Sequence, residues 1–387
     1  MCDKLRIGMF SWESLYSIKV GGVSPHVTYL AEALAKKGHE VHIFTRDGNM
    51  PNYDEINKVH YQRCVHDDSG EITQQMDNMC DAMVDRYFTV ETLFGKFDVL
   101  HLHDWHPVMA MYNLKKSRNL PWVMTFHSTE YGRNGNNFNT SDIFRNISHK
   151  EWLGGYESSQ IITVSEQMRE EIKLIYQIPD DKINVIGNGV NGIKKKVNSE
   201  EIKNKYQVSL NEPLVLFLGR MMYQKGPDIL INSISKILEK NRNTKFVFAG
   251  DGDMRSQCQN IAKKMGISDS CKFLGYVNDS DRIDLINACD IFCVPSRNEP
   301  FGITVLEAWT AEKPVLGTEA ISIIDNFVNG IRATIEPESI SYYTNVMLDN
   351  PNDCKRMGRN GKRKAEKKYN WDNIAQQTEN VYEKILT

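Results

Sequence analysis

Asp290-Ile-Phe-Cys-Val-Pro-Ser296, followed by Glu299-Pro-Phe-Gly-Ile-Thr-Val-Leu-Glu307, is the stretch from which the fold is read. The first run is short, apolar and partly β-branched, as in a strand buried on both faces. The second turns at Pro-Phe-Gly and continues as a helix. Glu299 is therefore expected on a loop at the strand's C-terminal end, and Glu307 about one turn inside the helix. The N–H groups of residues 301 to 303 lie between them. Free N–H groups at a helix start bind anions, and carboxylates at a strand end suit sugar hydroxyls. The pattern describes a pocket for a sugar joined to a phosphate.

Working outward, short apolar runs alternate with helical patterns almost throughout. Strands are expected at Leu5–Phe10, Glu40–Thr45, Asp98–Leu102, Trp122–Phe126, Ile161–Val164 and Asn184–Ile186. A second set follows at Leu214–Leu218, Lys245–Ala249, Lys272–Leu274, Ile291–Val294, Pro314–Leu316 and Ile331–Ile335. Strand-helix alternation implies an α/β fold with parallel sheets covered by helices on both faces. The first helix is read with Ser24 as its cap, Pro25 at its first position, an apolar stripe of Val27, Leu30, Ala31 and Leu34, and Gly38 at its end.

The polar run 192–206 follows a completed strand and reads as a linker. The expected organisation is a Rossmann-like domain over 1–191, the linker, a second Rossmann-like domain over 207–368, and a closing segment 369–387. Its helix, from about Trp371 to Leu386, carries Ile374, Val381 and Ile385 on one face and is expected to pack back on the first domain. Two such domains leave a cleft outside the strands' C-terminal ends.

Length and composition agree. A chain of 387 residues is long for one typical domain. Lys and Arg total 47 against 50 Asp and Glu, a net charge of -3, without the basic excess of a nucleic-acid binder. Eight scattered cysteines with no C-x-x-C read as free thiols in a reducing cytosol. No apolar run approaches the roughly 18 residues of a membrane helix. The N-terminus lacks a signal-peptide layout, so a cytoplasmic protein is expected.

Several motifs fall where strands end. Lys19-Val20-Gly21-Gly22 lies between the first strand and first helix, either as a tight turn or as a backbone cradle with a mobile cation. Arg220 and Lys225 flank the loop Gly219-Arg-Met-Met-Tyr-Gln-Lys-Gly226, and two cations there suit phosphate. His127 ends the strand Trp122–Phe126, as a hydrogen-bonding group for a sugar hydroxyl or the acceptor, or as a satisfied, partly buried histidine. In His103-Asp104-Trp105-His106 the histidine spacing invites a metal reading, but no third ligand is identifiable in the sequence, and no metal is expected. Asp251-Gly252-Asp253 looks like a metal-binding Asp-x-Asp and reads better as a turn. Phe301 and Tyr276 are candidates for stacking a base, with core packing as the alternative. Lys362 to Lys368 reads as a solvated helix face.

Taken together, the chain resembles retaining glycosyltransferases of the GT-B fold, the group of glycogen synthases and family 4 enzymes, over nearly its whole length. Glu299 and Glu307 fit that group's Glu-x7-Glu with its Pro-Phe-Gly. Lys19-Val-Gly-Gly22 fits Lys-x-Gly-Gly, and His103-Asp-Trp105 and Thr125-Phe-His127 match segments lining the active-site cleft. Arg220 and Lys225 fit the Gly-Arg...Lys-Gly phosphate loop, and Asn188-Gly189-Val190 the hinge-side Asn-Gly-Val. Two departures stand out: Asn191 where many relatives have Asp, and Glu319-Ala-Ile-Ser322 where many have Gly-Gly.

The resemblance implies transfer of a hexose, glucose onto an α-1,4-glucan by the Lys-x-Gly-Gly and His-Asp-Trp segments, from a UDP- or ADP-sugar. It implies retention of configuration without a metal or other cofactor. Glu299, His127, Lys225 and Arg220 would be catalytic. Gly21, Gly22, Lys19, Phe301, Gly302, Ile303, Glu307, Tyr276 and Asn188 would bind the donor, and Asp104 and Trp105 would face the acceptor. The partners expected are a nucleotide sugar and a carbohydrate acceptor, with no nucleic acid. A lipid-linked or small-molecule acceptor, a nucleotide-sugar epimerase and a non-catalytic sugar-binding protein are the competing readings. A dinucleotide-dependent oxidoreductase would want Gly-x-Gly-x-x-Gly, which Lys19-Val-Gly-Gly-Val-Ser lacks.

Overall fold

The computed structural model describes residues 4–193 and 199–387. The chain divides into two compact units, Met1–Gly189 with Trp371–Thr387, and Val190–Asn370. The first holds an eight-stranded sheet of β1 (Arg6–Phe10), β2 (Glu40–Arg46), β3 (Tyr53–Ile56), β4 (Val59–Cys64), β5 (Val99–His103), β6 (Trp122–Phe126), β7 (Gln160–Thr163) and β8 (Ile183–Val185), in the order β3-β4-β2-β1-β5-β6-β7-β8. Only β3 runs antiparallel to its neighbour. The second unit holds a parallel six-stranded sheet of β9 (Leu214–Leu218), β10 (Lys245–Ala249), β11 (Cys271–Gly275), β12 (Ile291–Val294), β13 (Val315–Thr318) and β14 (Ile331–Ala333), in the order β11-β10-β9-β12-β13-β14.

Both sheets are doubly wound, and each has one point where strand order reverses: between β1 and β5 in the first, between β9 and β12 in the second. Loops leaving neighbouring strands in opposite directions open a crevice there. The candidate residues sit on those loops. Lys19 to Gly22 follow β1 and Asp104 follows β5, while Arg220 and Lys225 follow β9 and Glu299 follows β12.

Two elements carry no sequence expectation, and two expectations need correction. The hairpin β3–β4 went unread because its turn is Asn57-Lys58, both at positive φ (52° and 67°), the geometry usually marked by Asn-Gly. The long helix Ile72–Phe94 was likewise unread, although Met76, Met79, Cys80, Met83, Tyr87 and Val90 form its buried stripe. Ser24 does not cap the first helix, which runs Val23–Lys36 with Gly22 at the N-cap and Pro25 third in line. The supposed linker 192–206 contains the helix Ser199–Lys205, which buries Ile202 and holds Lys203 Nζ 2.9 Å from Asp290; residues 194–198 lie outside the described residues.

The helix Trp371–Leu386 packs on the helix Val23–Lys36, with Ile374, Ala375, Val381 and Tyr382 in one apolar core with Val27, Leu30 and Leu34. Gly189 lies so close to the Trp371 ring that a Cβ would come within 2.4 Å of it. No helix among the described residues is long and apolar enough to cross a membrane.

Candidate functional site

In the second unit, the loops after β9 and β12 are laced together. Gly226 (φ +62°) passes so near Pro295 that a Cβ would lie 2.1 Å from its carbonyl oxygen, so only glycine fits. Arg297 N–H donates to Gln224 O (2.8 Å), and its guanidinium grips Asp228 with two bonds of 2.8 and 2.6 Å. This framework brings Lys225 Nζ 2.8 Å from Glu299 Oε2, which also accepts from Ser296 Oγ at 3.1 Å. Glu299 is buried, while Arg220 is exposed and its guanidinium has no partner among the described residues.

Gly302 (φ +99°) caps the helix Ile303–Thr310, so the amides of 301 to 303 precede its first internal bonds, as the sequence implied. Of the two readings of Phe301, the structure fits core packing: its ring is buried and packs edge-on against Tyr369 (centroids 5.4 Å, 81°), which leaves its amide as the part offered to a ligand. Tyr276, by contrast, is 81% exposed just beyond β11. Glu307 is ion-paired with Arg282, a residue no sequence signal singled out. Burial pushes the Glu307 carboxyl up while Arg282 opposes the shift. In Glu319-Ala-Ile-Ser322, Ile321 is fully buried, its methyl groups against Gly302 and Gly317. The segment 250–252 is a turn: Cβ atoms on Gly250 and Gly252 would strike Gly219 O and Met221 O (1.9 and 2.4 Å). Neither Asp251 nor Asp253 joins a three-ligand cluster among the described residues.

In the first unit, the Lys19-Val-Gly-Gly22 loop is already engaged. The buried Glu13 carboxylate, missed from the sequence, accepts through Oε2 from Val20 N (2.6 Å), Gly21 N (2.8 Å) and Ser24 Oγ (2.6 Å). Ser24 thus serves Glu13 instead of the helix start. Near it lies a cluster of histidines on β5, just after β6 and on the first helix. His101 is held on both nitrogens, by Tyr382 OH and Thr125 Oγ1, each at 2.7 Å. His103 Nδ1 meets His127 Nε2 at 3.1 Å, and His26 Nδ1 meets Asn188 Oδ1 at 2.6 Å. Asn188 is therefore a buried support for His26. Burial brings His26 down to about 4 and His101 to about 3, and drives His103 and His127 well below the ordinary imidazole value.

Asp104 and Trp105, expected to face the acceptor, are both buried. The Asp104 carboxylate accepts from the His127 and Ser128 amides (2.7 and 3.3 Å), orienting the loop that carries His127, and burial pushes it up to about 6. Trp105 stacks on His106 (4.3 Å) inside the unit. Beside them Arg133 binds Glu130 (2.9 Å) and Glu151 (2.8 Å); burial still pushes Glu151 up to about 7.

Residues 20–192 match Glycosyltransferase Family 4, and residues 198–364 match Glycosyl transferases group 1. An uncharacterized glycosyltransferase of Methanocaldococcus jannaschii is 37% identical over 387 residues, 98% of each chain. The chain belongs to the family 4 glycosyltransferases. Such an enzyme is a retaining transferase that uses a nucleotide sugar. A relative named glycogen synthase, from Mycobacterium tuberculosis, is 26% identical over 98% of this chain and 94% of its own. Among solved structures, sucrose-phosphate synthase of Thermosynechococcus elongatus aligns with a TM-score of 0.83 at 20% identity, covering 98% of this chain and 99% of that one. The catalytic domain of Arabidopsis thaliana starch synthase IV, bound to ADP and acarbose, aligns at 0.78 and 18%, covering 99% and 100%. These likenesses establish the GT-B fold of this family 4 enzyme.

Proposed function

We propose that this enzyme moves glucose from UDP- or ADP-glucose to a hydroxyl of an α-1,4-glucan, with retention and without a metal. The observation that carries the reading is the Lys225–Glu299 pair at 2.8 Å, with the exposed Arg220 on the same loop as Lys225 and the helix start at 301–303 following Glu299. An ammonium has three donors, so Lys225 can keep Glu299 and still reach a phosphate oxygen. Arg220 supplies a planar fork for the same diphosphate. Glu299 takes sugar hydroxyls, Tyr276 offers an open ring to the base, and the Glu307 oxygen not held by Arg282 is available to the ribose. The amides of Phe301, Gly302 and Ile303 complete the diphosphate cradle.

His127, neutral at physiological pH, hydrogen-bonds a sugar hydroxyl. Gly22 and Lys19 remain as loop contacts, whereas the Gly21 amide is committed to Glu13. In the transfer, the bond from the anomeric carbon to the diphosphate oxygen breaks. A bond to the acceptor oxygen forms on the same face, and the acceptor's proton passes to the departing phosphate. Cations and helix-start amides stabilise that leaving group, the task a metal performs elsewhere.

The glucan acceptor is supported by the relative named glycogen synthase and by the Lys-x-Gly-Gly and His-Asp-Trp segments. The test is an incubation with UDP- or ADP-glucose and a maltooligosaccharide in EDTA, reading nucleotide release and chain length. Growth of the glucan supports the reading. Nucleotide release without growth sinks the glucan and directs attention to a lipid-linked or small-molecule acceptor.

A further inference from the structure

His26, His103 and His127 each present a ring nitrogen within 4.8 Å of the other two. The sequence offered the second and third but no partner for them; the fold supplies His26 from the first helix. His26 Nε2 is buried with no hydrogen-bond partner among the described residues, and the His103 nitrogen that faces His127 Nε2 is Nδ1, at 3.1 Å. A buried ring nitrogen left without a partner is costly, and it is the kind of atom that accepts a ligand. His26 is also prepared as a metal ligand. Its Nδ1 donates to Asn188 Oδ1, which fixes the tautomer that leaves the lone pair on Nε2. His101, although stacked on His103 at 4.3 Å, is excluded because both its nitrogens are engaged.

We propose that His26, His103 and His127 form a site for a Zn²⁺-class transition metal ion, and that its occupation withdraws the His127 ring from the sugar and inhibits transfer. The inhibitory half rests on the function proposed above; the binding half does not. Neutral imidazoles suit zinc, cobalt, nickel or copper and not magnesium or calcium. Zinc takes nitrogens at about 2.0–2.1 Å, so tetrahedral ligands stand about 3.4 Å apart. The 3.1 Å between His103 Nδ1 and His127 Nε2 is already close to that distance. Three protein nitrogens leave a fourth position open, and His127 is the partly exposed member of the set. The other such cluster among the described residues, Glu40, His42 and His60, is a poorer candidate. Its Glu40 oxygens are held by the Arg6 guanidinium at 2.6 and 3.1 Å, and that charge opposes a second cation.

The experiment uses the untagged full chain, stripped with a chelator and titrated with Co²⁺ and then Zn²⁺. Expected are tetrahedral cobalt absorption bands saturating at one equivalent, and an X-ray absorption spectrum of the zinc form with three imidazole ligands. His26→Ala abolishes them, Asn188→Ala weakens binding by about 10–100-fold as an outer-shell change does, and His60→Ala leaves them in place. The spectra of the unmutated chain decide the site even if a variant fails to fold. Absence of the bands, sulfur ligation, or loss of the signal in His60→Ala instead of His26→Ala overturns the site. Zinc that binds but leaves transfer unchanged overturns the inhibitory role. Absence of any transfer in EDTA falls on the proposed function and leaves the binding result standing.

Discussion

At the reversal between β9 and β12, Arg220 offers an exposed guanidinium with no partner among the described residues, and Lys225 shares its ammonium with Glu299. At the corresponding reversal between β1 and β5, the amides of Val20 and Gly21 are already filled by the Glu13 carboxylate, and a cluster of histidines lies nearby. The topology is shared, so the difference lies in what each loop brings. A crevice that keeps its cations available is built for an anionic ligand. One whose amides already serve an internal carboxylate has fewer donors left for a phosphate. The composition of the two units sharpens the contrast: all ten histidines lie in the first unit, and the second has none.

The comparison breaks most directly at the open crevice. Lys225→Ala and Glu299→Ala are each expected to lower kcat/KM by about 10²–10³-fold, the range for loss of a preorganised electrostatic group, with unchanged circular dichroism. Near-full activity in either variant would remove this crevice as the donor site. Next in size is the acid response. Histidines held neutral in the native state must bind protons to unfold at low pH, so their stabilisation is present above pH 6.5 and lost as pH falls. For His26 and His42 that window runs from 6.5 to about 4. A shift of that size corresponds to about 3 kcal/mol per group.

Asp104 and Glu151 act in the opposite sense. Their raised values make the native state hold extra protons, so their part of the stability falls as pH rises to about 6 and about 7. The histidines outnumber them, with His101, His103, His106 and His127 shifted the same way. Hydrogen exchange between pH 6.5 and 4 is therefore expected to lose protection first in the first unit. Simultaneous loss in residues 199–370 would erase the predicted asymmetry.

Smaller effects refine the picture. Arg220→Ala should weaken nucleoside diphosphate binding by about 10–100-fold by calorimetry, since a charge-assisted bond is worth about 1.5–3 kcal/mol. Glu13→Gln should destabilise the first unit by about 2 kcal/mol in urea unfolding, because the acceptor shared by three donors is replaced by an amide. A neutral effect would mean that the loop is held by other contacts. Tyr276→Ala should cost the least, about threefold to tenfold in donor KM, as expected for one aromatic stacking contact.

Much of this was legible in advance where a local signal existed. Six of the strands on the second half were located within a residue or two, because buried parallel strands are continuous apolar runs bounded by turns. Glu299 and Lys225 were readable as candidates because each follows such a strand. The hairpin at 53–64 was not readable, since its turn uses Asn-Lys where Asn-Gly would have announced it. Nor were Glu13, His26 or Arg282, for one reason: an isolated charged or imidazole side chain on a loop or helix carries no periodic signal. Its partner is distant in sequence, as with His26 and Asn188, or Arg282 and Glu307.

By itself, the sequence determined the alternation of strands and helices, the two parallel sheets and the placing of carboxylates and cations just beyond strand ends. Those features are local, set by hydrophobic period and turn chemistry. Only the tertiary structure decided which of those residues stay available. It paired Lys225 with Glu299, turned the Phe301 ring into the core, bound Glu307 to Arg282, and closed the Gly-Gly loop on Glu13. It also gathered three histidines from separate elements into one cluster. Availability depends on burial and on partners brought near by strand order, and strand order is a property of the sheet as a whole.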